Sequence, residues 1–213
     1  MSFRILYGTG NLAKIDSMRR ITEDLDMEIL SPKELGLKLP AVDECGRDPL
    51  ENAKIKAMAY YQAFGMPVFS CDSGLYFKEV PEELQPGTHI RRVHGRELQD
   101  EELLSYYAGL AKVYGGRLTA QYRNAVYVVI SEDECYYSED DALDTEVFSL
   151  LDMPHEKRVP GYPLDSLAAD MVTGQYYHDM KDRTVDKSCI EQGYKAFWTR
   201  VQAEMEKRRN DQQ

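Results

Sequence analysis

The chain opens on a strand, a glycine loop and a helix, and that order does most to limit the folds open to it. Phe3-Arg4-Ile5-Leu6-Tyr7 reads as a short buried strand and Gly8-Thr9-Gly10-Asn11 as a turn. The segment Lys14 to Asp24 then carries Ile15, Met18 and Ile21 at helical spacing. With long strands mixed among later helices, this predicts an α/β fold with an extended central mixed sheet flanked by helices. A chain of 213 residues suffices for one substantial core, so one folding unit over residues 1–213 is expected. The opening junction also has a chemistry. It aims free backbone N–H groups and the positive end of a helix dipole at one point, where Lys14 adds a full charge, and that suits a phosphate. It has neither the P-loop spacing nor the dinucleotide fingerprint, so on its own it is equally an ordinary strand-to-helix turn.

The charge balance narrows the partners. Lys+Arg 26 against Asp+Glu 37 gives a formal net charge of -11, which argues against a nucleic-acid polymer or an anionic membrane. A small anionic ligand stays open if local lysines, backbone N–H groups and a divalent cation offset the acidic surface. Cys45, Cys71, Cys135 and Cys189 form no Cys-x-x-Cys pair and read as reduced thiols. No membrane-length apolar stretch and no basic-then-apolar leader is present, so a cytoplasmic protein is expected.

Ile29-Leu30 starts a second short strand, Ser31 to Gly36 reads as a turn into a brief helical segment, and Asp43-Glu44-Cys45-Gly46 as a loop. Pro49 to Phe64 is predicted as a helix, with Leu50, Ala53, Ile55, Ala57, Met58 and Tyr61 in it and Gly65-Met66-Pro67 ending it. In Val68-Phe69-Ser70-Cys71-Asp72-Ser73-Gly74-Leu75-Tyr76-Phe77, an apolar strand-like approach is expected to break into a polar Asp-Ser-Gly turn and then resume. A carboxylate at the mouth of a buried strand loses hydration and can hold a metal or accept a proton, which makes Asp72 the leading candidate residue. Further on, a helix is expected from Asp100 to Tyr114 and a long strand from Thr119 to Ile130. The acids between Glu132 and Glu146 read as a solvated hairpin, and Glu146 to Leu151 as another strand. A short helix is expected to begin at Ser166 and include Met171, and a final one to run from Gln192 to about Arg209 with Trp198 and Val201 inward.

Taken together these motifs resemble the inosine triphosphate pyrophosphatase family, the Ham1-like hydrolases of non-standard purine nucleoside triphosphates. Thr9-Gly10-Asn11-x-x-Lys14 is similar to that family's phosphate loop, and Asp43-Glu44-Cys45-Gly46 stands where it has an acidic metal-binding loop. Glu51-Asn52-Ala53-x-x-Lys56-Ala57 resembles its next helix with a phosphate-contacting lysine. Asp72-Ser73-Gly74-Leu75 resembles the motif whose aspartate is the metal-linked general base. Asp186-Lys187-Ser188 resembles a segment whose lysine reads the nucleotide, and Gly161-Tyr162 part of a purine-stacking loop.

The resemblance implies hydrolysis to monophosphate and pyrophosphate, with Mg²⁺ held by Glu44 and Asp72. It implies Asp72, Lys14 and Lys56 as catalytic residues. Thr9, Gly10, Asn11, Lys14, Lys56, Ser73, Tyr162 and Lys187 would contact substrate. It further implies two lobes with the active-site groove between them, and a homodimer. The chain departs from the pattern at three places. The family's Gly-Phe-Gly-Tyr-Asp-Pro is reduced to Gly161-Tyr162-Pro163-Leu164-Asp165, Cys71 replaces an acid, and Gln192-Gly193 stands for a His-Arg pair that reads the base. A shifted base preference is therefore expected. The competing readings are a nucleotide-binding or sensing protein without turnover and a relative of the septum-inhibition nucleotide pyrophosphatases.

Overall fold

The computed structural model describes residues 2–159, 161–180 and 188–211. Its strands form a mixed seven-stranded sheet in the order β2-β1-β3-β6-β8-β9, with β7 paired on β6 and helices packed around it. These strands are β1 (Phe3–Tyr7), β2 (Met27–Leu30), β3 (Val68–Phe77), β6 (Arg117–Ser131), β7 (Glu134–Ser138), β8 (Phe148–Leu151) and β9 (Ala168–Ala169). A separate two-stranded hairpin joins β4 (Arg92–Val93) to β5 (Arg96–Glu97). The helices are α1 (Leu12–Ile21), α2 (Pro49–Phe64), α3 (Asp100–Val113) and α4 (Ser188–Asp211). Contacts cluster into two compact units, one of Met1–Asp72, Asn124–Leu143 and Ser188–Gln213, the other of Ser73–Arg123 and Asp144–Lys187.

In the first unit β1 runs parallel to β2, pairing Phe3 with Met27 through Leu6 with Leu30, and parallel to β3, pairing Leu6 with Val68 and Tyr7 with Phe69. Both faces of β1 and β3 are buried because strand side chains alternate. Ile5, Tyr7 and Phe69 join Ile15 and Met18 of α1 and Trp198 and Val201 of α4 in one core. Leu6 and Val68 join Ala57 and Tyr60 of α2 in another. Trp198 is fully buried, edge-on to Phe69 at 4.9 Å, and donates its indole N–H to Met18 Sδ at 3.3 Å. Helix α2 forms where the sequence predicts it. Asp48 caps its start by accepting the Glu51 N–H at 2.8 Å, Pro49 pre-sets its first turn, and Gly65 ends it in the left-handed conformation at φ 62°.

The second unit packs α3 through Leu103, Leu104, Tyr107 and Ala111 against Leu118 of β6, Leu150 of β8 and Leu164 and Leu167 of the following loop. A capping box starts α3, with the Glu102 carboxylate accepting the Gln99 N–H at 3.0 Å.

Four local expectations are corrected. Asp72-Ser73-Gly74 is not a turn: β3 is unbroken from Val68 to Phe77, anchored before it by pairing to β1 at Val68 and Phe69 and after it by a reciprocal backbone pair between Leu75 and Gly87 at 2.9 and 3.0 Å. The acids after β6 lie on the expected hairpin, with Glu132, Asp133, Glu139, Asp140 and Asp141 exposed, but the segment is not solvated throughout, because β7 pairs along β6 with Tyr136 and Ser138 buried and Asp144 beyond it is buried too. The short helix at Ser166 to Met171 is instead a 3₁₀ turn at Pro163–Ser166 followed by β9, since Ala168 and Leu150 pair across the sheet edge. Helix α1 stops at Ile21, where the Thr22 hydroxyl turns back onto the Met18 carbonyl at 2.9 Å.

Candidate active site

The first unit gathers Glu44, Asn52, Lys56 and Asp72. Asn52 and Lys56 are four residues apart on α2 and so share one helix face, which is turned toward Asp72 on β3. The Lys56 ammonium donates to Asp72 Oδ1 at 2.6 Å and to Glu44 Oε2 at 3.1 Å. The other Asp72 oxygen accepts from Asn52 Nδ2 at 3.2 Å. Asn52 is 1% exposed, and its amide orientation is fixed because Oδ1 accepts the Gly46 backbone N–H at 2.8 Å, which leaves Nδ2 for the carboxylate. Gly46 has to be a glycine: a Cβ there would lie 2.6 Å from Asn52 Oδ1 and 2.8 Å from the Glu51 side chain. The buried amide thus aims Asp72 and also pins the acidic loop that brings Glu44 to Lys56. Nothing in the sequence reading gave Asn52 a role, although its spacing from Lys56 carries the signal.

Burial pulls the Lys56 pKa down, but the carboxylates of Asp72 and then Glu44 outweigh it, so the ammonium is held above the usual lysine range. Lys56 therefore neutralises the two acids and does not stand free for phosphate. Lys14 differs: it is exposed on the first turn of α1 and makes no ion pair among the described residues. That turn holds no acidic side chain, Asn11 caps it by accepting the Lys14 N–H at 3.2 Å, and Thr9 Oγ1 accepts the Asn11 N–H at 3.2 Å. The fields of Lys14 and Lys56 both reach the Cys71 thiol, one residue before Asp72. Thr9, Gly10, Asn11 and Lys14 form one loop-and-helix start, as the sequence implies.

In the second unit, Tyr162 is 57% exposed and borders a cavity of about 430 Å³ lined also by His89, Arg91, Arg92, Tyr122 and Asp165. Burial, and then the Asp165 charge, push the Tyr122 phenol up to about 12. Ser73 lies in this unit within β3 and is half-buried. Lys187, expected to read the nucleotide, lies outside the described residues. The packing around position 193 gives a physical reason for the glycine that stands where the family has arginine. Gly193 is buried in α4 against the turn at Asp141–Leu143, where a Cβ would overlap the Ala142 carbonyl oxygen and sit 2.7 Å from its carbon, so no arginine fits there. Gln192 beside it is exposed.

The Ham1 family model matches residues 5–146, which contain the whole Glu44–Asn52–Lys56–Asp72 cluster. The chain belongs to the Ham1 family. Among Ham1 relatives, a dITP/XTP pyrophosphatase of Haemophilus influenzae is 31% identical over 116 residues, 53% of this chain and 57% of that protein. One of Leptospira interrogans is 34% identical over 101 residues, 47% of this chain and 50% of that protein. The chain thus spans about half the length of the relatives it matches. A HAM1 protein from Coxiella burnetii superposes with a TM-score of 0.71 at 19% identity, covering 94% of this chain and 99% of that one. The Staphylococcus aureus Ham1 protein does so at 0.65 and 20%, covering 96% and 99%. At such identity the likeness is one of fold. It accounts for the mixed sheet and its helices.

Proposed function

We propose that the protein hydrolyses non-standard purine nucleoside triphosphates to monophosphate and pyrophosphate and so cleans the nucleotide pool. The observation that carries this reading is the convergence of Glu44 and Asp72 on one cationic point at 3.1 and 2.6 Å, fixed by the buried Asn52 amide. The names of the relatives support the substrate class.

Two hard carboxylate oxygens gathered at one point fit Mg²⁺, which commonly takes one or two carboxylates and completes its shell with water and substrate phosphates. Glu44 and Asp72 would hold it, and when bound it would supply charge neutralisation on the polyphosphate. The remaining tasks fall to the chain. Splitting the α–β anhydride consumes one water, and Asp72 accepts its proton, oriented by the Asn52 amide donor. Lys14, with Thr9, Gly10 and Asn11 of the loop before it, binds the triphosphate at the positive end of α1, and the resemblance adds Ser73. Lys56 balances Asp72 and Glu44, and with a cation held there its ammonium would be available to the phosphates. The resemblance supports Tyr162, whose ring is exposed, for the base and Lys187 for the nucleotide.

The same reading has the protein act in the cytoplasm as a homodimer, on free nucleotides. The net charge of -11 supports the choice of a monomeric nucleotide over a polyanionic polymer or membrane. No helix of the described residues is long and apolar enough to cross a membrane.

Pyrophosphate release from a panel of nucleoside triphosphates, with Mg²⁺ and with chelator, tests the proposal. Release from inosine and xanthosine triphosphates that needs Mg²⁺ and disappears in Asp72→Asn is the expected result. Tight binding with no release would instead make this a nucleotide sensor.

A further inference from the structure

The exposed Tyr162 ring is aimed by its backbone, and that backbone is held by two charged side chains. Asp100, the first residue of α3, accepts the Gly161 N–H on Oδ2 at 3.0 Å and the Arg91 guanidinium on Oδ1 at 2.7 Å. The same Arg91 nitrogen also donates to the Gly161 carbonyl at 3.3 Å, and Arg91 Nη1 donates to the Leu98 carbonyl at 3.4 Å. Both polar groups of Gly161 are therefore taken by one ion pair. A second tie lies beside it, from Arg158 Nε to Glu101 Oε1 at 3.0 Å.

Acids are ordinary in the first turn of a helix, where they satisfy the helix dipole. The carboxylate of Asp100 is instead spent on the loop, while the capping of α3 is done by Gln99 and Glu102. Arg91, Gly161 and Tyr162 also line the same cavity of about 430 Å³, so the clamp fixes part of its wall. Since no arginine fits at 193, base discrimination has to come from other groups, and a loop held by charge-assisted bonds is rigid enough to supply it.

We propose that Asp100 and Arg91 are positioning residues that set base selectivity by fixing the Gly161 peptide and hence the Tyr162 ring. This rests on the assignment of Tyr162 to the base in the proposed function.

The test has two arms on the full-length protein. In the first, amide hydrogen exchange of the segment 161–166 is compared among wild type, Asp100→Asn, Asp100→Ala and Arg91→Lys. Exchange at Gly161 is expected to rise about tenfold in Asp100→Ala, the loss of one charge-assisted bond, and less in Asp100→Asn. The second arm measures kcat and KM for inosine and adenosine triphosphates. KM for the preferred base should rise about tenfold with kcat within about twofold, and the ratio of kcat/KM between the two bases should shrink. Arg91→Lys should show the same loss, because an ammonium cannot span Asp100 and the Gly161 carbonyl with a planar fork. Unchanged Gly161 exchange would overturn the clamp. Faster exchange with an unaltered base ratio would overturn its role in selectivity. If wild type binds nucleotides without releasing pyrophosphate, the hydrolytic reading fails, and the ratio of calorimetric dissociation constants for the two bases then decides the clamp in place of turnover.

Discussion

Lys56 Nζ lies 2.6 Å from Asp72 Oδ1, and the two side chains are only 12% and 14% exposed. An ion pair so poorly hydrated is costly to break from one side, because the surviving charge keeps its desolvation without its partner. Lys56→Met should therefore lower stability by about 3 kcal/mol, or roughly 10 °C in Tm for a chain of this size. The double variant Lys56→Met/Asp72→Asn should recover part of that loss. A thermal double-mutant cycle checks it, and strictly additive losses would mean that the pair is not coupled.

The same pair sets a dependence on alkaline pH. The folded-state pKa of Lys56 is raised above its unfolded value, because attraction by Asp72 and Glu44 exceeds the opposing effect of burial. Its contribution to stability is then full below about pH 10.4 and is lost as pH rises through the folded value. Urea midpoints measured upward from about pH 9 should fall more steeply for wild type than for Lys56→Met. Parallel curves would remove Lys56 as the cause.

How much of this was legible in the sequence depended on what decided each element. Helix α2 was readable because capping, proline at its start and glycine at its end are local signals that agree with its apolar spacing. Asp72-Ser73-Gly74 was misread because turn preference is also local, whereas pairing to the distant β1 on one side and to Gly87 on the other keeps that backbone extended. The strand-loop-helix start and the later strands carried the mixed sheet, and the ordered motifs carried the family, but neither gave the number of strands. Asn52 and the Asp100–Arg91 clamp were not legible, since a buried amide and a loop-holding carboxylate look in sequence like any polar residue of a helix start. That Gly193 is held as glycine by the close approach of Ala142 could not be seen in one dimension.

Asp72→Asn keeps one acceptor oxygen for Asn52 but turns an N–H₂ toward Lys56, so it should fold at lower stability; it cannot take a proton, and its loss of charge weakens any cation at the site. Turnover is expected to fall by about 10²–10⁴, with nucleotide affinity within a few-fold when measured by calorimetry. A variant with near wild-type turnover would take the base role from Asp72.

Restoring a base-reading arginine separates two neighbouring positions. At Gly193 any side chain meets the Ala142 backbone, and overpacking of this kind costs about 1–3 kcal/mol or more, so Gly193→Arg should be strongly destabilised in thermal unfolding. Gln192 is exposed, so Gln192→Arg should fold normally. If 192 faces the base, its donors should raise the kcat/KM ratio of inosine over adenosine triphosphate by about tenfold. A well-folded Gly193→Arg protein would contradict the packing described for α4.

Cys71 gives a test that needs no substrate. Its thiol packs beside Tyr7 and Tyr194, and loss of hydration pushes its pKa up despite those hydrogen bonds and the fields of Lys14 and Lys56. Two lysines beside a cysteine would ordinarily favour the reactive thiolate, so the direction of the shift decides between an active and an inert thiol. Cys71 is half-buried, loss of hydration outweighs the lysine fields, and it should remain a neutral thiol at neutral pH, while Cys45 and Cys189 are exposed. Iodoacetamide at about pH 7.5 should therefore label Cys71 at least roughly tenfold more slowly than either, with the difference vanishing in denaturant. Mass spectrometry of the alkylated peptides reads this directly. Labelling of Cys71 as fast as Cys45 in the folded protein would mean that the lysine fields prevail over burial beside Asp72, and that the thiolate adds a third negative charge next to the two carboxylates.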